Sequence, residues 1–493
     1  MPRRIARLAT AVSLLGIAAV HAQAPVPQGG EFVVSATGRA PDVAMNASGA
    51  FEVVWGETEI RAQRYDAAGV AAGPGIQVNA YTTDAQSTPT VALGDDGSAL
   101  VFWRSSGQFG GDRIAGRRFT AGGLPDGADF LASALMQYSD DFAAAAANGT
   151  GDAVLTWTSG PDPRLRGDIY ERQFGRDGMP RAGATLVQTR TNPNTSSDQR
   201  DQSVAIDATG AHVVVWGDDG RTTNTSVGDA NIAMRRYSAA GAPFSNEQRV
   251  NTTLAGEQYD PAVAMNADGA FTVVWYSNGP PGEGVYLQHF DATGARRGGE
   301  VRVSTSAVDY LCRPEVVLGQ RGDAVVVWVR TDGRLVLRRI DRDGAAASAE
   351  VLVGTTQSVT VNLNDKKIAV AASEAGSLVV VWPGTNGGVF GQRFALAPVA
   401  GEPAAPAAAA LTVAPSPAGP AGATVRYTLA APGSARVSVL DALGREVAVL
   451  ADGAAAAGPH DVRLDAGRLA PGVYVVRLAH GGAVESRRLT VVR

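Results

Sequence analysis

One pattern of apolar and polar positions recurs seven times along this chain. Each copy begins with a short run rich in Ala and Val, passes through a turn containing Asn, Asp or Gly, and ends with a β-branched run closed by Trp. Two apolar runs joined by a short turn of this kind predict a β-hairpin. A period of about fifty residues is typical of propellers and other repeat arrays. The copies, which contain all seven tryptophans, span residues 42–55, 89–103, 142–157, 203–216, 261–275, 314–328 and 368–382.

Two further strands are predicted in each repeat. Four strands per unit, repeated seven times, predict an all-β chain built as a seven-bladed β-propeller of four-stranded blades. Each Trp is expected to pack between neighbouring blades. Alternating residues before an Asp/Gly turn indicate a third strand in residues 60–69, 114–123, 169–178, 232–241, 285–294 and 335–344, and in residues 389–394 of the last repeat. Short alternating runs indicate a fourth strand at residues 76–79, 248–251, 300–304 and 350–353.

The seventh repeat has no fourth strand of its own. The N-terminal sequence GGEFVVS at residues 29–35 matches GGEVRVS at residues 298–304, which is the fourth strand of the fifth repeat. We therefore predict that the N-terminal strand, residues 31–35, pairs beside residues 389–394 and closes the ring. Closure of this kind removes exposed sheet edges.

The ends of the chain predict an exported protein. Residues 1–24 read as a secretory signal peptide, with Arg3, Arg4 and Arg7, an apolar run at 8–20 and a small-residue cleavage site. No later stretch is long and apolar enough to be a transmembrane segment. The predicted propeller spans residues 25–396, and a Pro/Ala-rich linker spans residues 397–410. Alternating segments in residues 411–493 predict a small C-terminal β-sandwich.

Residues 411–493 resemble the type A C-terminal sorting domain of proteins exported by the type IX secretion system. The family commonly has Asn where Ser416 stands and an aromatic residue where Leu440 stands. The resemblance implies export across both membranes of a Gram-negative bacterium, with the outer-membrane secretion machinery as a partner of this domain. The product would then be secreted or attached to the cell surface. The matching segments are PSP at 415–417, TVRYTL at 424–429, VSVLDALGREV at 437–447, GPHDVRL at 458–464, LAPGVYVVRL at 469–478 and RRLTVV at 487–492.

Composition and motifs limit the kinds of ligand and site that the chain is expected to have. The net charge of −5 argues against a nucleic-acid-binding surface. Cys312 is the sole cysteine, so no intramolecular disulfide can form, and we expect it to be buried and unreactive. The sequence contains no zinc-protease, P-loop or serine-hydrolase motif, so we predict no catalytic residues, no metal site and no cofactor. A monomer is expected.

The candidate binding residues follow from loop length. Long loops follow three of the tryptophans, at residues 104–113, 158–168 and 217–231, and precede four of the first strands, at residues 81–88, 191–202, 252–260 and 305–313. In a four-stranded meander both classes of loop emerge on one face. Charges before the first strands would then surround the mouth of the central channel, although such charges also serve simply to cap strand ends in solvent. The candidates are Arg39, Asp42, Asp140, Asp141, Arg200, Asp201, Tyr259, Asp260, Arg313 and Glu315, with Lys366 and Lys367 in the last repeat.

Three functions are consistent with these observations. The first is a non-catalytic binding protein that uses the long-loop face for an extracellular glycan or protein ligand. The second is an extracellular glycoside hydrolase or polysaccharide lyase that works from mouth carboxylates such as Asp201 and Asp260. The third is a structural scaffold on the cell surface.

Overall fold

Two compact units make up the chain, Met1–Ala400 and Gly401–Arg493. The predicted signal peptide, apart from its last residue, and the predicted linker lie outside the described residues. The computed structural model describes residues 24–134, 139–162, 166–189, 199–218, 230–308, 310–319, 321–354, 359, 368–373, 375–396, 411–414, 417–419, 422–429, 433–441, 445–456, 458–480 and 483–492.

The strands of the larger unit begin with β1 (Val26–Pro27) and β2 (Phe32–Ser35). The first sheet contains β3 (Arg39–Met45), β4 (Phe51–Gly56), β5 (Ile60–Tyr65) and β6 (Ile76–Gln77). The second contains β7 (Gln86–Leu93), β8 (Ala99–Ser105), β9 (Arg113–Phe119) and β10 (Phe130–Leu131). The third contains β11 (Ser139–Ala147), β12 (Ala153–Asp162), β13 (Arg166–Phe174) and β14 (Thr185–Leu186).

The remaining sheets repeat this order. The fourth contains β15 (Gln199–Ile206), β16 (His212–Asp218), β17 (Asn231–Tyr237) and β18 (Gln248–Arg249). The fifth contains β19 (Gln258–Met265), β20 (Phe271–Ser277), β21 (Gly284–Phe290) and β22 (Arg296–Arg302). The sixth contains β23 (Glu315–Leu318), β24 (Ala324–Val329), β25 (Leu335–Ile340) and β26 (Val351–Val353). The seventh contains β27 (Ala369–Ala372), β28 (Ser377–Pro383) and β29 (Val389–Ala395).

These seven sheets are arranged like propeller blades. Strands that follow one another along the chain pair antiparallel within each sheet. The first strand of each sheet contacts the first strand of the next, and β27 of the seventh sheet contacts β3 of the first. The first strands therefore form a closed ring, and the described part of this unit is all-β with a propeller-like arrangement.

Tryptophans fill the gaps between neighbouring sheets, as the sequence predicted. Among the described residues, each junction has one hydrophobic cluster that contains one Trp. Trp103 of the second sheet, for example, packs with Val54 and Ile60 of the first and is 0% exposed. Because burying a large apolar side chain contributes about 2–3 kcal/mol, these residues are a main source of cohesion between sheets.

The predicted closure of the ring is present. Phe32 of β2 pairs with Gly391, Val33 pairs with Phe390, and Ser35 pairs with Val389. The ring of Phe32 covers Gly391, where a Cβ would overlap it. Phe130 lies in the same way over Gly116 in the second sheet, so β2 occupies the position of an ordinary fourth strand.

A second N-terminal strand, which the sequence analysis missed, extends this pairing. In β1, Val26 pairs with Ala395 and Pro27 pairs with Phe394. Two residues are too short for a periodic signal, and Pro27 has no backbone N–H to donate to a neighbouring strand. Pro is nevertheless tolerated in an edge strand, because its missing N–H would not have a partner there.

Arginines of the third strands link four of the sheets, the second, third, fourth and sixth, to the sheet before them. The Nη1 groups of four equivalent arginines donate to backbone carbonyls that follow the fourth strand of the preceding sheet. Of the 43 Lys and Arg residues in the chain, only Lys366 and Lys367 are lysines, and sequence reasoning gave no structural reason for this bias. A planar guanidinium that reaches a fixed carbonyl provides one. The pairs are Arg117 with Val78, Arg172 with Ala132, Arg235 with Val187, and Arg338 with Val303, at 2.6–3.1 Å.

Acidic residues in or directly before the fourth strands cap the loop of the preceding sheet. Glu300 accepts hydrogen bonds from the backbone N–H of Thr252 and Thr253 and from Thr253 Oγ1 at 2.7 Å. Glu350 likewise accepts from Thr305 N at 2.6 Å and Ser306 N at 2.9 Å. Burial alone would raise the pKa of Glu300 and of Glu350, but these hydrogen bonds outweigh it and hold each pKa below its ordinary value.

This arrangement predicts a loss of stability in acid. A carboxylate whose folded pKa is lowered contributes stability that is complete above its ordinary pKa of 4.5 and is lost as the pH falls through the folded value. We expect the Glu300→Gln/Glu350→Gln variant to melt below wild type near pH 6, and the gap to close toward about pH 3. The measurement is a series of thermal melts across this range, with Asp268→Asn as the matched control. A gap that is the same at every pH would contradict the expectation.

The smaller unit consists of two antiparallel sheets around one core. β30 (Leu411–Ala414), β31 (Ala423–Leu429) and β34 (Gly458–Leu464) form one sheet. β32 (Gly433–Leu440), β33 (Glu446–Ala455), β35 (Gly472–His480) and β36 (Ala483–Val491) form the other, and a short 3-10 helix spans Ala466–Arg468. Inward-facing residues of both sheets, such as Val425 and Val437, are buried in one hydrophobic cluster. Across the described residues of both units, no helix has the length and apolar character needed to cross a membrane.

Candidate functional site

A β-bulge recurs near the beginning of the first strands. The pairing of first and second strands shifts register at this point in each of the first five sheets. A non-glycine residue stands there with a left-handed backbone, which is uncommon and costs about 1 kcal/mol. Because the geometry recurs from sheet to sheet, it belongs to the repeat, and in the fourth, fifth and sixth sheets the residue with this backbone lines a cavity. The residues and their φ angles are Ala40 (46°), Thr88 (48°), Phe142 (53°), Asp201 (55°), Asp260 (51°) and Arg313 (43°).

Three neighbouring bulge positions carry charges that meet. Arg313 Nη1 makes a close contact with Asp260 Oδ1 and lies 3.5 Å from Asp201 Oδ1. Arg313 and Asp260 are each only 8% exposed. Asp201, Asp260 and Arg313, hereafter the mouth cluster, thus join the fourth, fifth and sixth sheets by charge-assisted hydrogen bonds.

A tyrosine-lined cavity opens beside the mouth cluster. It has a volume of about 410 Å³. Tyr259 and Tyr276 lie parallel in its wall, with ring centroids 6.5 Å apart and an angle of 8° between the planes. The Tyr276 hydroxyl donates to Glu283 at 2.5 Å, which fixes the ring, whereas Tyr310 is 54% exposed. We call this cavity the tyrosine pocket; the mouth cluster and Glu257, Tyr259, Tyr276, Asn278 and Tyr310 line it.

The central channel forms a second cavity of about 300 Å³, which the mouth cluster also lines. Asp42 and Glu315 add further carboxylates to its wall. Asp42 Oδ2 accepts from Thr90 Oγ1 at 2.7 Å and from Val91 N at 3.1 Å, so this carboxylate ties the first sheet to the second. The channel is therefore narrow, polar at its mouth and braced by contacts between neighbouring first strands.

The candidate residues from the sequence fall into two groups. Six of them line one of the two cavities: Asp42, Asp201, Tyr259, Asp260, Arg313 and Glu315. Arg39 is exposed and lines neither. Arg200 lies in β15, but its side chain is outside the described structure, as are Lys366 and Lys367.

Asp140 and Asp141 are also absent from both cavity walls. Asp140 is 0% exposed and accepts from Ser133 Oγ at 2.7 Å. Burial raises the pKa of Asp140, and the Ser133 hydrogen bond offsets this only in part. Asp141 Oδ2 lies 3.8 Å from Arg104 Nε, in a contact between β11 of the third sheet and β8 of the second. The environments of these two residues are those of structural carboxylates.

Sequence reasoning missed four residues of the tyrosine pocket, namely Glu257, Tyr276, Asn278 and Tyr310. A signal was present for Tyr276, because it directly follows Trp275, where other repeats have Gly, Arg, Thr, Val or Pro. Glu257 N donates to Asn278 Oδ1 at 2.7 Å, so these two loop residues support each other across the pocket wall.

The mouth cluster brings two carboxylates, those of Asp201 and Asp260, to one guanidinium. Among the residues that the structure describes, no group of three or more His, Cys, Asp or Glu is placed to hold a metal ion.

No known protein-family model matches this chain, and no curated protein sequence matches it. Among solved structures, an ulvan lyase of polysaccharide lyase family 25 is similar, with 10% identity and a TM-score of 0.46 over 74% of this chain and 96% of that chain. A protein of unknown function from Dyadobacter fermentans has 8% identity and a TM-score of 0.45 over 75% and 100% of the respective chains. PorZ, a surface component of the type-IX secretion system of Porphyromonas gingivalis, has 16% identity and a TM-score of 0.39 over 90% and 58%. At these values the similarities carry no functional argument.

Proposed function

We propose that this chain is a secreted or cell-surface seven-bladed β-propeller that binds a glycan in the tyrosine pocket without cleaving it. The observation that carries the proposal is the pocket itself, a concave site walled by Tyr259, Tyr276 and Tyr310 beside the mouth cluster. Small-ligand sites are typically concave and aromatic, with few polar groups that fix orientation, and have volumes of about 300–1,000 Å³. A sugar ring has apolar C–H faces for the tyrosines and hydroxyls for Asp201 and Asn278.

A glycan is favoured over a protein ligand by the shape of the site. Protein interfaces need about 800 Å² from each partner and are usually flat or gently curved. The tyrosine pocket is instead a compact hollow with one exposed ring, Tyr310, at its rim. If the ligand is instead a protein, the glycan array described below will show no bound glycan.

The binding experiment uses the mature chain, residues 25–493, on a glycan array. We expect one glycan class to bind and Tyr310→Ala to weaken that binding by about tenfold, because the exposed ring supplies stacking area. Phe244→Ala is the matched control, since Phe244 is an equally exposed aromatic, 57%, in a loop between third and fourth strands. If no glycan binds, or if both variants behave alike, the proposal is wrong.

The main competing function is an extracellular glycoside hydrolase or polysaccharide lyase. The observation in its favour is that Asp201 and Asp260 meet at one guanidinium in the channel mouth. Mass spectrometry of the bound glycans after long incubation distinguishes the two functions. Shortened chains formed with turnover, and lost in Asp201→Asn, would establish the enzyme and end the non-catalytic proposal.

We further propose that residues 411–493 form a β-sandwich sorting domain that engages the outer-membrane secretion machinery of a Gram-negative bacterium. The support is the motif set quoted above, together with two sheets around one core. We expect removal of residues 411–493 to retain the protein in the periplasm of a host with a type IX system. Secretion of the truncated chain at the wild-type level would refute this role.

A further inference from the structure

We infer that the junction between the fifth and sixth sheets holds a second ligand site, which binds a small oxyanion such as a carboxylate or sulfate group. The site is a cavity of about 290 Å³ at the end of these sheets opposite the mouth cluster. It shares no lining residue with the tyrosine pocket, so this inference is independent of the function proposed above. We call it the histidine cavity; Thr272, His289 and Arg297 of the fifth sheet and Leu318 and Arg342 of the sixth line it.

The histidine cavity stands where the repeat changes one side chain. At three other junctions an arginine of the third strand, paired with the residue three positions before the Trp, donates to carbonyls in the turn after the next third strand. Arg64, for example, donates to Thr120 O at 3.2 Å and to Ala121 O at 2.8 Å. His289 occupies this position in the fifth sheet, where it pairs with Thr272. The other two arginines are Arg236, which reaches residues 292 and 293, and Arg393, which reaches residues 67 and 68.

The turn glycines show that His289 does not fill the same space. At those three junctions a Cβ added to the turn glycine would meet the arginine of the preceding sheet. A Cβ on Gly344, the corresponding residue of the sixth sheet, would meet Val301 instead. An imidazole is shorter than the guanidinium side chain that it replaces, and the space left at this junction is the histidine cavity. The pairs at the other junctions are Gly123 with Arg64, Gly294 with Arg236, and Gly69 with Arg393.

His289 brings a buried polar atom without a hydrogen-bond partner to this cavity. The residue is 5% exposed, and Thr272 Oγ1 lies 2.6 Å from its Nδ1. Its Nε2 has no hydrogen-bond partner, although the backbone of Asp341 lies near the ring. Burial lowers the pKa of His289, so the ring is neutral near pH 7. We assign the Thr272 hydroxyl as the donor to Nδ1, which places the ring proton on Nε2. A buried N–H without an acceptor is costly, and a ligand oxygen would remove that cost.

Arg297 supplies the second donor. It pairs with His289 across β21 and β22, so the two side chains lie on the same face of the sheet. Its planar guanidinium matches the two oxygens of a carboxylate or sulfate group. Arg321 and Arg342 also line the cavity, but each has other partners, so the ligand contacts are assigned to His289 and Arg297.

The remaining polar groups of the described wall leave room for such a ligand. Asp268 is its one carboxylate, and Asp268 Oδ1 accepts from Ala270 N at 3.2 Å within its own turn. In the turns that line the cavity, Gln320 is the residue that lies outside the described structure, and it carries no charge. Phe271, Phe290 and Leu318 close the apolar side, which suits a small ligand with one polar end.

Nuclear magnetic resonance of nitrogen-15-labelled histidine reads the site directly. Residues 25–493 contain four histidines, and the His289 signal is the one that disappears in His289→Phe. Thr272→Val gives a second assignment, because it removes the hydroxyl beside Nδ1 and should move that signal alone. We expect the free protein to have its ring proton on Nε2. Sodium sulfate or sodium acetate, exchanged for chloride at constant ionic strength, should shift the His289 signal saturably with a Kd of about 1–10 mM.

A matched pair of variants locates the guanidinium. Arg297→Gln, in an exposed part of edge strand β22, should weaken sulfate and acetate binding by at least about fivefold. Arg249→Gln removes the same charge from the corresponding edge strand of the fourth sheet and should change neither affinity. Glucuronate and glucose distinguish the source of the oxyanion. Tighter binding of glucuronate than of acetate indicates an oxyanion carried by a sugar, whereas equal affinity indicates a free small anion.

Four results would overturn the inference. They are no saturable shift of the His289 signal with any of the three anions, an unchanged affinity in Arg297→Gln, a shift by glucose equal to that by glucuronate, and a ring proton on Nδ1, which would make Nε2 an acceptor. Each of these results leaves glycan binding in the tyrosine pocket untouched, because the two sites share no residue.

Discussion

Deletion of residues 25–36 is expected to lower the melting temperature of the larger unit by more than about 10 °C. The deletion removes β1 and β2, which together cover the outer edge of β29. It also removes Phe32, whose ring lies 5.5 Å from that of Tyr65 and 6.4 Å from that of Phe51 in the first sheet. The same segment therefore completes the last sheet and packs on the first, and without it a long hydrogen-bonding edge is exposed.

The matched comparison is deletion of residues 411–493, which we expect to leave the melt of the larger unit nearly unchanged. Phe32→Ala separates packing from pairing and should cost about 3 kcal/mol, as for other large-to-small core changes. Thermal melts by circular dichroism and light scattering measure stability and edge-driven aggregation together. A harmless N-terminal deletion would show that the closure contributes little.

Replacement of Arg313 by Met should destabilise the larger unit by about 3 kcal/mol, because breaking one partner of a buried ion pair has a large cost. The guanidinium lies between Asp260 and Asp201, and both Arg313 and Asp260 are nearly buried. Its loss leaves two carboxylates facing each other at low dielectric. Chemical denaturation gives the free energy of unfolding directly.

Two further variants make this prediction specific. Combining Arg313→Met with Asp260→Asn removes both charges, and we expect most of the lost stability to return, since replacing a whole buried pair is often nearly neutral. Arg330→Met breaks an exposed pair with Asp332 at 3.0 Å and should cost no more than about 1 kcal/mol. If the three variants are equally stable, the mouth cluster has no structural role.

The repeat architecture could be predicted because its signals are local and redundant. Each hairpin is marked by a turn and a Trp, so an error in one copy is corrected by the others. The pairing of residues 31–35 with the last repeat followed from counting strands. The pairing of Phe32 with Gly391 repeats that of Phe130 with Gly116, a correspondence that was already in the sequence.

The candidate site was only partly predictable, because it is assembled across repeats. Asp201 and Asp260 could be placed at the mouth from the sequence, because this required only the position at which each first strand begins. The two carboxylates meet at Arg313 because the backbone at these positions is left-handed. Asp and Arg give no sequence signal for this conformation, since residues with positive φ are usually Gly. Asp140 and Asp201 occupy similar places in sequence, but Asp201 stands at the bulge whereas Asp140 lies two residues before the bulge residue Phe142, and this offset decides which is buried and which lines a cavity.

The links across the ring closure determine when folding can finish. Gln392 donates to the carbonyl of Gly29 across 363 positions of sequence, and Arg393 reaches the carbonyls of Ala67 and Ala68. Joining segments so far apart costs about 5 kcal/mol of chain entropy, which favourable contacts must offset in one step. During synthesis or translocation the ring thus stays open until residue 395 is available, and closure is a late, long-range event. A chain that emerges N-terminus first carries its closing strand unpaired for nearly the whole of that time.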